Sequence, residues 1–166
     1  MVRILGIDPG SRITGFGIIE RQQQRVTYVT CGCIQIQADS MPLRLQEIYV
    51  GVSDIIAEYQ PTILAIEQVF MYRNAASALK LGQARGVAIV AAVQQGLTVY
   101  EYSPNQIKQA VVGQGHAQKE QVQQMVKVLL SLSALPSADA ADALAGALCH
   151  AYVSQSAQQL SKLASH

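Results

Sequence analysis

The sequence predicts an α/β domain: a mixed five-stranded sheet with helices on both faces. Three observations predict it. The first third of the chain reads as three consecutive strands separated only by turns; from residue 42 onward apolar residues recur at helical spacing, and the later strands alternate with helices; and the order βββαβαβ is then followed by further helices. At 166 residues, with 50% hydrophobic and 14% charged, the chain fits one domain with a well-supplied core.

Residues 2–8 read as a mostly buried strand, closed by the turn Pro9-Gly10-Ser11, and residues 13–20 as a second strand containing Gly15 and Gly17. A Gln22-Gln23-Gln24 turn leads into a third strand over 25–36, completing an antiparallel meander. Leu45, Ile48, Tyr49, Val52, Ile55, Ile56 and Tyr59 then mark a helix that covers one sheet face, with Pro42 near its start. Residues 62–67 form a short buried strand. Residues 75–95 form a long helix in which Ala78, Gly82 and Gly86 fall four apart, a smooth stripe expected to receive another helix, internal or from a second subunit. Residues 97–102 give the fifth strand, and Ser103-Pro104 cap a short helix. After the Gly113-Gln114-Gly115-His116 loop, Val122, Met125, Val126 and Leu129 define an amphipathic helix, and past Pro136 an alanine-rich helix is expected over 138–153. Residues 1–153 make the domain, and the Ser- and Gln-rich residues 154–166 are expected to be a flexible tail.

The start lacks the apolar core and cleavage site of a secretory signal, and the longest apolar run, 86–93, is too short for a bilayer; a soluble, cytoplasmic protein is expected. Cys31, Cys33 and Cys149 are an odd number without metal-ligand spacing and are expected to be buried, reduced thiols, Cys31 and Cys33 facing one side of their strand. Net charge is +1, but residues 68–130 carry six basic side chains (Arg73, Lys80, Arg85, Lys108, Lys119, Lys127) against Glu101 and Glu120, a local 6 − 2 = +4.

Four carboxylates interrupt apolar or alanine-rich segments: Asp8 and Glu67 at strand ends, Asp139 and Asp142 opening the late helix. Each has a plain structural reading. Asp8-Pro9-Gly10 makes a turn, Glu67 marks a strand reaching solvent, and Asp139 could cap its helix by accepting the N–H of Asp142. Together they say more. Parallel strands end at one sheet edge, a helix N-terminus can lie against that edge, and residues three apart share a helix face. Four carboxylates so gathered repel one another unless hard cations neutralise them, and oxygen donors suit Mg²⁺ or Mn²⁺. Two such ions can clamp a phosphodiester for hydrolysis.

Gly6-Ile7-Asp8-Pro9-Gly10, Ile66-Glu67-Gln68-Val69-Phe70, the segment Ser77-Ala78-Leu79-Lys80-Leu81-Gly82-Gln83-Ala84-Arg85-Gly86 and Asp139-Ala140-Ala141-Asp142-Ala143-Leu144 closely resemble the motifs of RuvC-type crossover-junction endodeoxyribonucleases, in matching order over residues 1 to 153. The resemblance implies a ribonuclease-H-like fold, a homodimer, and symmetric, metal-dependent nicking of Holliday junctions in recombination and repair, leaving 5′-phosphate and 3′-hydroxyl ends. It implies Mg²⁺, with Mn²⁺ as substitute and two ions per site, held by Asp8, Glu67, Asp139 and Asp142. It adds Lys119 to the catalytic set and implies DNA contact by Phe70, Tyr72, Arg73, Asn74, Lys80, Lys108 and Lys119, Phe70 stacking on a base at the junction centre. The branch-migration proteins RuvA and RuvB are the further implied partners. His116, beside this region, is read as a surface residue. The stretch from Asp8 to Gly15 also resembles the phosphate hairpin of actin-like ATPases, which pair two such lobes where this chain has one. A ribonuclease-H-like nuclease acting on RNA or hybrids is the closer alternative, and a non-catalytic junction-binding module, which would tolerate loss of the carboxylates, is set against the presence of all four.

Overall fold

A computed structural model describes residues 1–69 and 74–163. Strands β1 (Val2–Asp8), β2 (Ile13–Gln22) and β3 (Arg25–Gln35) form the expected meander, followed by α1 (Met41–Tyr59), β4 (Ile63–Glu67), α2 (Ala75–Gln94), β5 (Thr98–Tyr102), α3 (Pro104–Val112), α4 (Lys119–Leu129) and α5 (Ala138–Leu163). The sheet order is β3-β2-β1-β4-β5, antiparallel among the first three and parallel from β1 through β4 to β5. Helices cover both faces, as predicted.

Alternation along the strands sorts the core into two layers. Leu5, Ile7, Ile18, Leu64 and Ile66 pack with Ile48, Val52, Ile56, Ala84, Ala88 and Ala92 of α1 and α2. On the other face Ile4, Ile19 and Ala65 pack with Val111, Val126, Leu144 and Leu148 of α3, α4 and α5. Each large apolar side chain among these, fully buried, contributes about 1.5–3 kcal/mol relative to exposure.

The α5 face of the sheet is floored by small residues. A Cβ on Gly6 would lie 1.9 Å from the Ala143 carbonyl, one on Gly15 2.1 Å from the Asp139 carbonyl, and one on Gly17 2.5 Å from Leu144 Cγ. Gly6 pairs with Gly17, and Asp8 with Gly15, across β1 and β2. Glycine thus makes a trough into which the alanine-rich α5 sinks to backbone contact, and this depth carries the N-terminus of α5 to the end of β1 where Asp8 stands.

Several boundaries differ from expectation. α5 continues helically beyond Val153 to Leu163, and Arg21 holds it near Val153, donating to the Ala151 carbonyl and Ser154 Oγ. α4 begins at Lys119, fixed by reciprocal Gln118–Gln121 capping. Cys149 is buried, but Cys31 and Cys33 are only half-buried, because β3 is an edge strand with one neighbour. The Ala78, Gly82, Gly86 stripe receives no helix among the described residues: a Cβ on Gly82 or Gly86 would meet nothing within 4 Å, and α2 instead turns Ala84, Ala88, Ala91 and Ala92 inward. By length and composition α2 is apolar enough to cross a membrane, yet that inward face packs against the α1 side of the core and Arg85 pairs with Glu101 on β5.

Candidate active site

Strand parity puts Asp8 and Glu67 side by side. Ile7 is in register with Ile66 on the parallel β4, so the next residues, Asp8 and Glu67, end neighbouring strands at one sheet edge. Asp8 follows Ile4 and Gly6, and Glu67 follows Ala65, on the face occupied by α5. Beyond Asp8 the chain is shaped by Thr14, which is wholly buried; its hydroxyl donates to the Gly10 carbonyl at 3.0 Å and accepts from the Gly10 N–H at 3.3 Å.

Asp139 and Asp142 come to the same edge from the first turns of α5. The capping reading of Asp139 gives way to Ser137, whose Oγ accepts from Ala140 N at 3.4 Å and whose carbonyl accepts from Ala141 N at 2.8 Å. Ser137 also touches Cys33 Sγ at 3.4 Å. With Ser137 serving the helix end, both aspartates are left to the site, and the helix dipole favours their charge.

Asp8, Glu67, Asp142, Lys108 and Lys119 line one cavity of about 260 Å³, together with Pro104, Ile107 and Val122. Asp139 is not in that lining; its backbone lies against Gly15, and its charge reaches Asp8. Lys108 is presented by α3 and Lys119 by the first residue of α4, where Lys119 Nζ lies 3.3 Å from Asp142 Oδ2.

The electrostatics are those of crowded anions. Asp8 is pushed from 3.8 up to about 7, first by burial and then by the charges of Asp142, Asp139 and Glu67. Burial also raises Glu67, with Asp142 adding to it and both lysines opposing. Asp142 is raised by burial despite Lys119, whereas Lys119 is itself raised chiefly by Asp142. Burial and mutual repulsion therefore outweigh the ion pair, as expected when Lys119 is 74% exposed and screened by water. Among the described residues no three acidic side chains converge on one ready-made ligand point. The donor set nonetheless fits a hard divalent cation: oxygen donors only, in surplus of negative charge, with Asp8 raised by burial and by its acidic neighbours.

Phe70, Tyr72 and Arg73 lie outside the described residues. Asn74 is exposed and caps α2, accepting from Ser77 N at 3.2 Å; Lys80 is exposed on the same helix. His116 lies exposed in the loop between α3 and α4. The sequence reading missed Arg85. It reaches from α2 to donate through Nε to the Glu67 carbonyl at 2.9 Å while pairing with Glu101 on β5 at 2.7 Å. Its place in the segment ending at Gly86 offered no local sign of a contact so distant in the chain.

The family model described as "Crossover junction endodeoxyribonuclease RuvC" matches residues 4–150. Thermus thermophilus RuvC is 34% identical, with a TM-score of 0.84 over 94% of this chain and 97% of that one. The same organism's RuvC in complex with Holliday junction substrate, also 34% identical, gives 0.87 over 95% and 97%. The yeast mitochondrial Holliday junction resolvase Ydc2, at 13% identity and a TM-score of 0.66, covering 93% of this chain and 80% of its own, shares the fold.

Proposed function

Because the chain belongs to the RuvC family of crossover junction endodeoxyribonucleases, we propose that its resolution of Holliday junctions is carried by Asp8, Glu67, Asp139 and Asp142 as ligands of Mg²⁺, two ions per site, with Mn²⁺ as a substitute. The observation that supports this most is the gathering of Asp8, Glu67 and Asp142 on one cavity, where burial and then Asp142, Asp139 and Glu67 push Asp8 up to about 7, a crowding that a bound cation would relieve. When bound, the ions supply Lewis-acid activation of water and stabilise charge on the departing oxygen.

The chain's own residues do the rest. Asp8 and Glu67 are fixed by strand backbone and Asp142 by helix backbone, so the donors are preorganised on regular elements rather than loops. Lys119 and Lys108 line the same cavity and balance negative charge as it grows on the phosphoryl oxygens, Lys119 as a catalytic group. Phe70, Tyr72, Arg73, Asn74 and Lys80 contact the junction's bases and phosphates. The products carry 5′-phosphate and 3′-hydroxyl ends.

The protein acts as a homodimer. A four-way junction has approximate two-fold symmetry, which an isologous dimer matches with two sites for two strands. The open face of α2 supports that surface: Leu79, Val90 and Val93 are exposed beside uncovered Gly82 and Gly86. RuvA and RuvB deliver the substrate, in the cytoplasm.

Asp8→Asn and Glu67→Gln test the reading. Each abolishes cleavage and leaves junction binding in Ca²⁺ intact; Mg²⁺-dependent cutting by either variant would remove that residue from the metal site.

A further inference from the structure

Two arginines converge on one carbonyl at the end of the sheet. Arg12, exposed in the turn between β1 and β2, donates through Nη1 to the Ala38 carbonyl at 3.3 Å. Arg44, in the first turn of α1, donates through Nε to the same oxygen at 2.8 Å and through Nη2 to the Asp39 carbonyl at 2.9 Å. The loop that carries Ala38 is itself fastened: Ile36 N–H donates to the Arg12 carbonyl at 2.9 Å, and Gln37 N–H to Glu47 Oε2 at 2.8 Å.

Among the described residues neither guanidinium forms an ion pair. The carboxylates nearby in the chain are otherwise placed. Glu47 serves the Gln37 N–H, and Asp39 is exposed and meets Arg44 through its main chain. Two like charges held on one oxygen repel each other, and an anion seated against both offsets that repulsion. A guanidinium carries five N–H donors; Arg12 uses one and Arg44 two, so each keeps donors for a forked contact with a phosphate.

Position selects the anion. Asp8 pairs with Gly15 and Ile13 with Gln35, so the Arg12 turn and the loop after β3 lie at the same sheet end as Asp8 and Glu67. In the strand order the carboxylates close β1 and β4, the arginine pair lies past β2 and β3, and Lys108 lies on the helix that follows β5. Charge along this edge therefore runs positive, negative, positive. Two strand spacings separate β3 from β1, about 10 Å, close to the rise of about three nucleotides in one DNA strand.

We infer that Arg12 and Arg44 together clamp a backbone phosphate of a junction arm about three nucleotides from the cut, at a seat separate from the catalytic cavity. The inference rests on the junction-nuclease reading. Phosphate contacts set register and carry no base information, so the pair positions the arm whatever its sequence.

Junction binding in Ca²⁺, which needs no cleavage, tests the clamp through its salt dependence. The double variant Arg12→Gln/Arg44→Gln is expected to bind about eightfold more weakly at about 0.1 M salt, with the salt slope lowered by about 0.9, equally for junctions of different sequence. Arg12→Lys/Arg44→Lys keeps the charge and is expected to keep the slope. A neutral methylphosphonate walked along the cut strand locates the contact: one position, about three nucleotides from the nick, weakens binding by the unmodified protein and has no further effect on the Gln double variant. A lowered thermal midpoint with an unchanged salt slope would make the pair a clamp on its own loop and overturn the inference. Additive losses at every methylphosphonate position would overturn it too. Failure of the unmodified protein to cut any junction in Mg²⁺ would instead overturn the nuclease reading, and the coupling measured in Ca²⁺ would still decide whether the pair holds a phosphate.

Discussion

Arg85 donates from Nε to the backbone carbonyl of Glu67 at 2.9 Å, so a helix whose outer face is open holds the last residue of the strand that ends at the active site. Arg85 is 17% exposed and shares its guanidinium with Glu101, which ties α2, β4 and β5 at one point. Glu67 is thereby positioned through its main chain, leaving its carboxylate to the cavity.

Arg85→Ala is expected to cost about 1–2 kcal/mol of stability, the loss of one charged hydrogen bond to a half-buried carbonyl plus a partly screened ion pair. Its functional signature is a raised Mg²⁺ requirement for cleavage with junction affinity in Ca²⁺ unchanged, partly rescued by Arg85→Lys. Equal loss of both properties would make Arg85 a purely structural residue.

Gly15→Ala is expected to damage the site without touching a charged group. Its Cβ would fall 2.1 Å from the Asp139 carbonyl, so either β2 or the start of α5 must move. The expected cost is about 2–3 kcal/mol, read as a lowered denaturant midpoint, with cleavage reduced beyond what the folded fraction explains. A variant with unchanged stability and rate would show that α5 has slack at this end.

Much of this arrangement is legible in the sequence, for identifiable reasons. Parallel strands ending together bring Asp8 and Glu67 to one edge, and i, i+3 spacing puts Asp139 and Asp142 on one helix face, so the neighbourhood of these acids can be read from local pattern. What the glycines do cannot. Gly15 and Gly17 look like weak points in a strand until α5 is seen lying on them at backbone distance. Likewise nothing local distinguishes Ser137 as the cap rather than Asp139, or Arg85 as the partner of a strand end eighteen residues away. Cys31 and Cys33 depart from the burial expected of them because alternation tells which side a residue faces but not whether its strand lies at an edge.

Asp8 makes stability depend on pH. Its acid ionises near 3.8 in the unfolded chain but only at about 7 in the fold, so the folded state holds the proton longer and stability falls as pH rises from about 4 to about 7. Without divalent cations, Asp8→Asn is therefore expected to be more stable than the unmodified protein at pH 8, by about 1–3 kcal/mol, with the difference vanishing near pH 4. Thermal melts in chelator check this, and Mg²⁺ is expected to stabilise only the unmodified protein. A destabilised variant at pH 8 would contradict it.

His150 acts at the acid end with the opposite sign. It is 3% exposed, pushed from 6.5 down to about 4 by burial and by the charge of Arg21, packed at a tilt against Tyr100 at 4.4 Å between ring centroids and hydrogen-bonded through Nδ1 to the Tyr102 hydroxyl at 2.7 Å. The unfolded chain takes up this proton first, so the His150 contribution is complete above about 6.5 and is lost as pH falls towards 4, by about 3 kcal/mol at most. In His150→Gln the fall in stability between pH 6.5 and 4 is expected to be shallower. An unchanged slope would assign that fall to other groups.

The most direct measurement is cleavage of a synthetic four-way junction beside a linear duplex of the same sequence, with Mg²⁺, with Ca²⁺ and with chelator. Paired symmetric nicks in the junction alone, present with Mg²⁺ and absent with chelator, are the predicted result. Binding without cleavage in every condition, or equal cutting of the duplex, would contradict a structure-selective nuclease built on Asp8, Glu67, Asp139 and Asp142.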